Sequence, residues 1–396
     1  MMGCGFDGNL AAFESPLTED LAFHQLALIL SATFMCLSVS ISCWLILDHA
    51  LHYLKPYEQK HIIRILAVVP TYSILSFLSL LFYDKAVYLE LLRSCYDAFA
   101  IASYFTLMCH YIAPSLHEQK EYFRNVRPKP WIFPLRNVAI PRSGLTWFNI
   151  LYIGIFQFCV TRPLFAVIAF ATQQTNLYCA YSSEPDKAHT WISLLQGAFV
   201  LVAMYCLSQF HKQLNEDLEA HKPALKLHCV KLVTFLCFWQ NWLFGILAGQ
   251  GVLRATPSIA DVDILVGFPC MLICFEMTIF AGLYHWAFPY TPYDIDHQLR
   301  GSERPTNYTS APHKAIVDAM NPWDYVKAAA RGLRWLFHGV RHRRVDASYQ
   351  DKEEEDSEKE SELEYDTPQV VPGWKVVCTD PDELLHSTDR GPLRGV

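Results

Sequence analysis

Two long apolar segments joined by a short polar turn constrain the fold of this chain more than any other feature. The first covers residues 227–252 and contains one charged residue, Lys231, close to its beginning. The second covers about 262–283. A helix of about 20 residues crosses the ~30 Å hydrocarbon core of a bilayer. Both segments reach that length, so the chain is expected to fold in a membrane.

Five further apolar segments precede these two, and they cover about 21–47, 62–82, 86–112, 147–172 and 191–210. The chain is 52% hydrophobic and 18% charged, which is too apolar for an ordinary soluble protein of 396 residues. The segments predict an all-α membrane protein with seven transmembrane helices within residues 21–292. Pro70 lies inside the second segment and predicts a kink there.

The distribution of basic residues predicts the orientation of these helices. Lys and Arg concentrate in the connections that follow the odd-numbered segments. The connections after even-numbered segments carry one each: Lys85, Lys187 and Arg254. Positively charged connections stay on the cytosolic side of a membrane. Residues 1–20 are therefore expected to be a lumenal or extracellular tail, and the C-terminus to be cytosolic.

A cytosolic segment is predicted at residues 293–345. Asn321 followed by Pro322 and Asp324 is typical of a helix start. The predicted helix, 322–340, combines aromatic and aliphatic residues with several Lys and Arg. Such a helix either lies in the membrane interface or docks on the cytosolic ends of the bundle.

An acidic tail is predicted to be disordered over residues 346–396. Ten acidic residues lie between Asp351 and Asp366, and this stretch contains too few apolar residues to form a core. Ser357 and Ser361 lie within the acidic run and are candidate phosphorylation sites. The alternative is a tail that is simply solvated.

Polar side chains recur near the middle of four of the apolar segments. A charge at the centre of a transmembrane helix costs roughly 2.5–3.5 kcal/mol, so it needs a partner or a wet cavity. We expect an inward-facing polar layer in which Arg162 pairs with Glu276 or Asp97. The layer consists of Asp97, Gln157, Arg162, Gln240, Asn241 and Glu276. It is either a path for a substrate or ion, or a network that fixes helix packing.

Cysteine and histidine residues offer two further candidate sites. Cys4 and Cys179 both fall on the predicted outer side and are candidates for a disulfide bond. His49 and His52 lie beside Asp48 at the cytosolic end of the first helix. Histidines in such positions more often hydrogen-bond to backbone or headgroups than bind a metal, and no metal or cofactor is expected.

No motif in the sequence indicates an enzyme or a nucleic-acid-binding protein. It contains no nucleophile elbow, no phosphate-binding loop and no HExxH motif. Its basic residues lie in connections beside apolar spans rather than in a basic domain. Membrane lipids are the partners that the composition itself implies.

Several blocks resemble the organic solute transporter alpha family, and within it the transmembrane protein 184 branch. They occur in the same order between residues 48 and 326: "HALHYLKPYEQKHIIRILAVVPTYSILSFLSL", "YDAFAIASYFTL", "GIFQFCVTRPL", "KLVTFLCFWQ", "FEMTIFAGLYHWAFPY" and "AMNPWDYV". The resemblance implies seven helices and a transporter-like protein. The family's alpha subunit works with a single-span beta subunit on steroid-type organic anions, whereas the 184 branch is linked to vacuolar and other endomembranes.

The function implied is facilitated movement of amphipathic organic solutes, sterol-type anions or lipids. Arg162 is then expected to be the counter-charge for an anionic group. A homo-oligomer or a single-span partner subunit is consistent with the resemblance, and an endomembrane or vacuolar location is favoured over the plasma membrane. The alternative is a seven-helix receptor or scaffold that does not transport and acts in endomembrane signalling or trafficking.

Overall fold

The computed structural model describes residues 22–138, 141, 143–175, 177–179, 186–219, 222–250, 252–253, 256–294 and 312–334. These residues form α-helices joined by short connections, and they contain no β-strand beyond one isolated bridge. The helices are α1 Phe23–Leu51, α2 Pro56–Leu66, α3 Val68–Leu81, α4 Ala86–Ile112, α5 Leu116–Asn125, α6 Gly144–Gln174, α7 Ala188–Leu214, α8 Pro223–Gly249, α9 Phe268–Ala287, α10 Pro312–Met320 and α11 Trp323–Arg334.

Six helical stretches of the described chain are long and apolar enough to cross a membrane. They are α1, the consecutive pair α2 and α3, α6, α7, α8, and α9 with the π-helical turn Asp263–Gly267 that precedes it. A seventh stretch is α4 if it is counted with α5, which is bent from it by 77°. The prediction of a multi-pass helical membrane fold is confirmed, with six or seven spans.

The predicted kink near Pro70 is a break between α2 and α3. Proline has no N–H, so the carbonyl of Leu66, four residues earlier, loses its helical partner. The helix is interrupted at Ala67, one residue beyond that carbonyl. The break lets α2 and α3 be two separate helices within one membrane crossing.

The outer surface of the long helices is apolar. Ile29, Trp44, Val167 and Leu201 are all more than half exposed. A soluble protein rarely exposes so many large apolar side chains, whereas acyl chains solvate them without penalty. This surface is therefore the one that lipid covers.

One end of the bundle, called here the proximal end, contains the connections 52–55 and 288–294 and the helices α10 and α11. The Tyr53 hydroxyl donates to Oδ2 of Asp318 in α10 at 3.0 Å. The Tyr293 hydroxyl donates to Oε2 of Glu58 in α2 at 2.8 Å. These bonds join α10 and the 288–294 connection to the first part of the bundle.

The short helix α5 is held against the bundle by aromatic packing. Its Phe123 is fully buried and stacks on Phe148 of α6, with ring centroids 4.0 Å apart. The connection after α5 is held by α7, where Gln213 Oε1 accepts from the backbone N–H of Lys129 at 2.6 Å. These contacts fix α5 beside α4 and α6, where it forms part of a cavity wall.

The C-terminal segment, residues 312–334, consists of α10 and α11. The predicted helix start is observed, because Asn321 Oδ1 accepts from the backbone N–H of Trp323 at 3.0 Å. The helix α10 before it was not predicted. Helix α10 packs against α1 and α2, and α11 packs against α4 and α6. Helix α11 therefore docks on the bundle, which is one of the two placements predicted for it. Residues 335–340 of the predicted helix, the tails 1–20 and 346–396, and with them Cys4, Ser357 and Ser361, lie outside the described residues.

Candidate functional site

The predicted polar residues form separate contacts between neighbouring helices rather than one cluster. Gln240 of α8 donates through Nε2 to Oε1 of Glu276 in α9. Gln240 Oε1 and Glu276 Oε2 are both buried and have no hydrogen-bond partner. The side chain of Asn241, the next residue, lies outside the described part of the structure.

Asp97 of α4 belongs to a second contact. Its Oδ1 accepts from the hydroxyl of Thr234 in α8 at 2.7 Å, and the side chain is buried. Gln157 of α6 makes a third contact, donating to the backbone carbonyl of Phe199 in α7 at 3.3 Å. Each of these bonds joins two helices at a point where water is excluded.

Arg162 of α6 does not pair with an acidic side chain. Its Nη1 donates to Oε1 of Gln196 in α7, and its Nε donates to the carbonyl of Ser94 in α4 at 3.4 Å. Neither Asp97 nor Glu276 lies within the 4.0 Å of an ion pair with it, so the expected pairing is wrong. For Glu276 the reason is helix order, because α6 packs on α4 and α7 whereas α9 packs on α1, α3 and α8. Asp97 lies on the neighbouring helix α4, but its carboxylate accepts from Thr234 of α8 instead.

Arg93 is an interior cation that the predicted layer did not include. It is 5% exposed, donates to Oγ of Ser76 in α3 at 2.8 Å, and lies 3.6 Å from Oε1 of Glu90. Spacing of three residues already indicated that Glu90 and Arg93 share one helical face. Nothing in the sequence pointed to Ser76, because a serine in an apolar helix is common.

A cavity of about 240 Å³ lies at the proximal end, bounded by α2, α4, α5, α6 and α11. We call it the cationic cavity. Its lining includes six basic or imidazole side chains and one carboxylate, Asp324. The six are Lys60, His61, Arg64, His110, Lys327 and Arg331.

Asp324 is bound by two of these cations. Lys60 Nζ donates to its Oδ2 at 2.6 Å, and Nη2 of Arg64 lies 3.6 Å from the same oxygen. Burial acts to raise the pKa of Asp324, but the hydrogen bond and charge of Lys60 and the charges of Arg64 and Lys327 outweigh it. The pKa of Asp324 is therefore held below its ordinary value.

Arg64 is fixed from several directions. It is 1% exposed, and its Nε and Nη2 donate to the carbonyls of Ala319 at 2.5 Å and Asn321 at 2.8 Å. Those carbonyls lie at the end of α10 and just after it. An arginine of α2 therefore binds the turn between α10 and α11.

An apolar groove of about 760 Å³ lies between α1, α3, α4 and α10 and reaches Ala67 at the break before α3. It is lined by aliphatic and aromatic side chains with few polar atoms. Its lining includes Leu47, Pro70, Ile74, Leu92, Phe99 and Met320. The groove borders the lipid-covered surface, because Leu47 and Leu92 are 47% and 58% exposed.

The groove and the cationic cavity meet at a pair of aromatic rings. Phe99 lines the groove and Tyr325 lines the cavity, and their ring centroids are 5.6 Å apart. The guanidinium carbon of Arg64 lies 5.1 Å from the Phe99 ring. We call these two rings the aromatic partition. The C-terminal segment provides one of its two rings and part of the wall on each side.

The two histidines at the end of α1 bind backbone. His49 Nε2 bonds to the carbonyl of Phe288 at 3.0 Å, and His52 Nδ1 to that of Asp48 at 2.9 Å. No group of three or more metal-ligating side chains occurs within the described ranges. Cys179 is disulfide-bonded. Its pairing with Cys4 stays a prediction, because Cys4 is not among the described residues.

The spanning helices, the lipid-covered surface and the interior polar contacts define a multi-pass helical membrane protein. The profile of the family described as organic solute transporter Ostalpha matches residues 27–293, and the chain belongs to that family. A transmembrane protein 184 homolog of Dictyostelium discoideum is 28% identical over 280 residues. That alignment covers 70% of this chain and 55% of the relative, so the chain matches about half of the relative's length. No solved structure matches the chain.

Proposed function

We propose that this protein facilitates the movement of amphipathic organic solutes, sterol-type anions or lipids across a membrane. Membership of a solute transporter family supports transport in general. The observation that carries the specific proposal is the adjacency of the apolar groove and the cationic cavity at the aromatic partition. An amphipathic anion has the same two parts, an apolar body and a charged group.

The groove suits the apolar body because it opens on the lipid-covered surface. A solute already dissolved in the bilayer enters such a groove without crossing water. The charged group then needs a cation within reach, since an unpaired anion is costly at that depth. Lys60 and Arg64 line the adjoining cationic cavity and supply that charge, and the Arg64 guanidinium carbon lies 5.1 Å from the centre of the Phe99 ring.

Arg162 supplies a second positive charge deeper in the bundle. It bonds to the carbonyl of Ser94, and the next residue, Cys95, lines the groove. No acidic side chain of the described residues lies within the 4.0 Å ion-pair distance of Arg162, so its guanidinium can take the anionic group of a ligand as an ion-pair partner. We propose that Arg162 is the counter-charge along the path, and that Asp97, Gln240 and Glu276 set the helix positions around it.

The proximal end is proposed to face the cytosol, because the basic connections fall there. The location is proposed to be an endomembrane, and the similarity to a transmembrane protein 184 homolog supports this choice. The protein is proposed to act as a homo-oligomer or with a single-span subunit.

Uptake of tritiated oestrone sulfate into vesicles that contain only this protein tests the function. Ile74→Trp fills the groove and is expected to lower uptake severalfold. Ile29→Trp adds the same volume on the outer surface, where Ile29 is 58% exposed, and is expected to leave uptake unchanged. Absence of uptake for a broad panel of sulfated and carboxylated amphiphiles contradicts transport and favours the receptor or scaffold alternative.

A further inference from the structure

We propose that Lys60 and Arg64 form a binding site for the anionic group of an amphipathic ligand, and that Asp324 of the chain itself occupies this site when the ligand is absent. Binding then removes the Lys60 contact that holds the start of α11 to α2. The proposal deepens the proposed function, on which it rests, by assigning the ligand's charged group to a site and by giving that site a regulator.

The charges in the cationic cavity favour an additional anion. Asp324 is the one carboxylate among the described residues that line it, and the same lining holds four cations, Lys60, Arg64, Lys327 and Arg331. The Asp324 carboxylate lies where a ligand carboxylate or sulfate would lie, 2.6 Å from Lys60 Nζ and 3.6 Å from Arg64 Nη2. Arginine and lysine bind such oxyanions through charge-assisted hydrogen bonds.

Asp324 is placed so that an incoming anion can replace it. Its side chain is 44% exposed, whereas Arg64 is 1% exposed and fixed by two backbone carbonyls. The cationic side of the site is therefore preorganised, and the carboxylate is its exchangeable part. A partly exposed ion pair contributes little to stability, so its replacement is easily compensated.

The contacts of α11 connect this exchange to the aromatic partition. Tyr325 is the residue after Asp324, and it contacts Phe99 and donates to the carbonyl of Cys159. Beyond these, α11 is held by Tyr152, whose hydroxyl donates to the Ala328 carbonyl at 2.7 Å. Moving Asp324 off Lys60 therefore moves Tyr325 off Phe99, and the groove and the cavity become one amphipathic space.

Equilibrium binding to the full-length protein in neutral phosphatidylcholine nanodiscs tests the site. The probes are tritiated cholesterol sulfate and tritiated cholesterol, which differ in the charged group. Asp324→Asn removes the internal competitor and is expected to tighten cholesterol sulfate binding about fivefold or more. Lys60→Gln is expected to weaken it about tenfold. Cholesterol binding is expected to change little in either variant.

Glu121→Gln is the matched control, because it removes one exposed carboxylate from α5, which borders the same cavity, but leaves the contacts of the C-terminal segment intact. Its cholesterol sulfate affinity is expected to equal that of the wild type. Equal affinity in the wild type and Asp324→Asn overturns the proposal, as does equal tightening in Asp324→Asn and Glu121→Gln. If Asp324→Asn binds cholesterol sulfate more tightly but the wild type shows no vesicle uptake, the binding site is supported and transport is refuted. If the wild type shows uptake but Asp324→Asn binds cholesterol sulfate with unchanged affinity, only the binding site is refuted.

Discussion

The hydroxyl of Tyr325 donates to the backbone carbonyl of Cys159, which lies in the middle of the 31-residue helix α6. A residue beyond the last membrane span therefore reaches a carbonyl at the centre of one of the spans. The residue four positions further on is Pro163, which has no N–H, so this carbonyl lacks its usual helical donor and accepts from Tyr325 instead; the bond is local evidence that α11 packs against α4 and α6. The C-terminal segment is part of the bundle's interior wall.

Substituting Tyr325 tests this packing. Tyr325→Phe keeps the ring on Phe99 but loses the hydrogen bond, and is expected to lower the free energy of unfolding by about 1 kcal/mol. Tyr325→Ala loses both and is expected to lower it by about 3 kcal/mol. Thermal unfolding in detergent measures both, together with protease sensitivity of residues 312–334. Trp323→Ala is the control, because Trp323 is 58% exposed and is expected to have little effect.

Arg162→Ala separates a transport role from a packing role. The account predicts that uptake falls about tenfold or more while the folded yield stays near that of the wild type, because none of the described acidic side chains lies within ion-pair distance of Arg162. Gln157→Leu removes an interhelical bond of the neighbouring turn without changing charge, and is expected to keep most of the uptake. Equal loss of yield and uptake in Arg162→Ala indicates that the residue only fixes packing.

Glu276→Gln and Glu276→Leu test the α8–α9 contact. The glutamine retains an oxygen that can accept from Gln240 and is expected to preserve stability. The leucine leaves the buried amide of Gln240 without a partner, and the free energy of unfolding is expected to fall by about 1–3 kcal/mol. Unfolding of Glu276→Leu, of Gln240→Leu and of the double variant, each compared with the wild type, gives the coupling energy. A coupling near zero contradicts the contact.

The docking of α11 is expected to depend on pH through Asp324. Its pKa is lower in the folded protein than the model-peptide value of 3.8. The ionised carboxylate therefore contributes stability above about pH 4, and this contribution is lost as pH falls through the folded pKa. Hydrogen exchange of residues 323–334 in the wild type and Asp324→Asn is expected to differ at pH 6 and to converge as the pH falls through the folded pKa of Asp324. A difference that grows on acidification contradicts this.

The proposed disulfide has a chemical test. Cys179 is disulfide-bonded, and Cys4 is the predicted partner. Replacing Cys4 by serine is expected to make Cys179 reactive towards a maleimide added to the lumenal or extracellular side. Cys378→Ser is the control and is expected to leave Cys179 unreactive.

The membrane helices were predictable because length and apolarity alone define them. The predicted bounds of the third segment, 86–112, are those of α4, where charged and polar residues mark both ends. The break at Ala67 lies three residues before Pro70, since the missing bond is the one to the carbonyl four residues earlier. Features of this kind depend only on residues that are close together in the sequence.

The partners across helices were not predictable from local sequence. Depth counting placed Arg162 and Glu276 at a similar level, but it carries no information about which helices are neighbours. The cationic cavity was missed for the same reason. In the sequence, Lys60 and Arg64 are two of the basic residues that indicate the orientation of the helices, and Asp324 is part of a helix-start pattern. Only tertiary packing brings residues 60 and 324 together.

The most direct test of the account is a reversible tether across the aromatic partition. The double variant Phe99→Cys/Tyr325→Cys is reconstituted into vesicles, and its two introduced thiols are linked by a short bis-methanethiosulfonate cross-linker. Oestrone sulfate uptake is then measured before and after addition of dithiothreitol, which cleaves the link. Either single variant, treated identically, is the control. The account predicts that uptake is lost in the tethered protein and restored on reduction. Equal uptake in the tethered and reduced states contradicts the claim that the aromatic partition must open during transport.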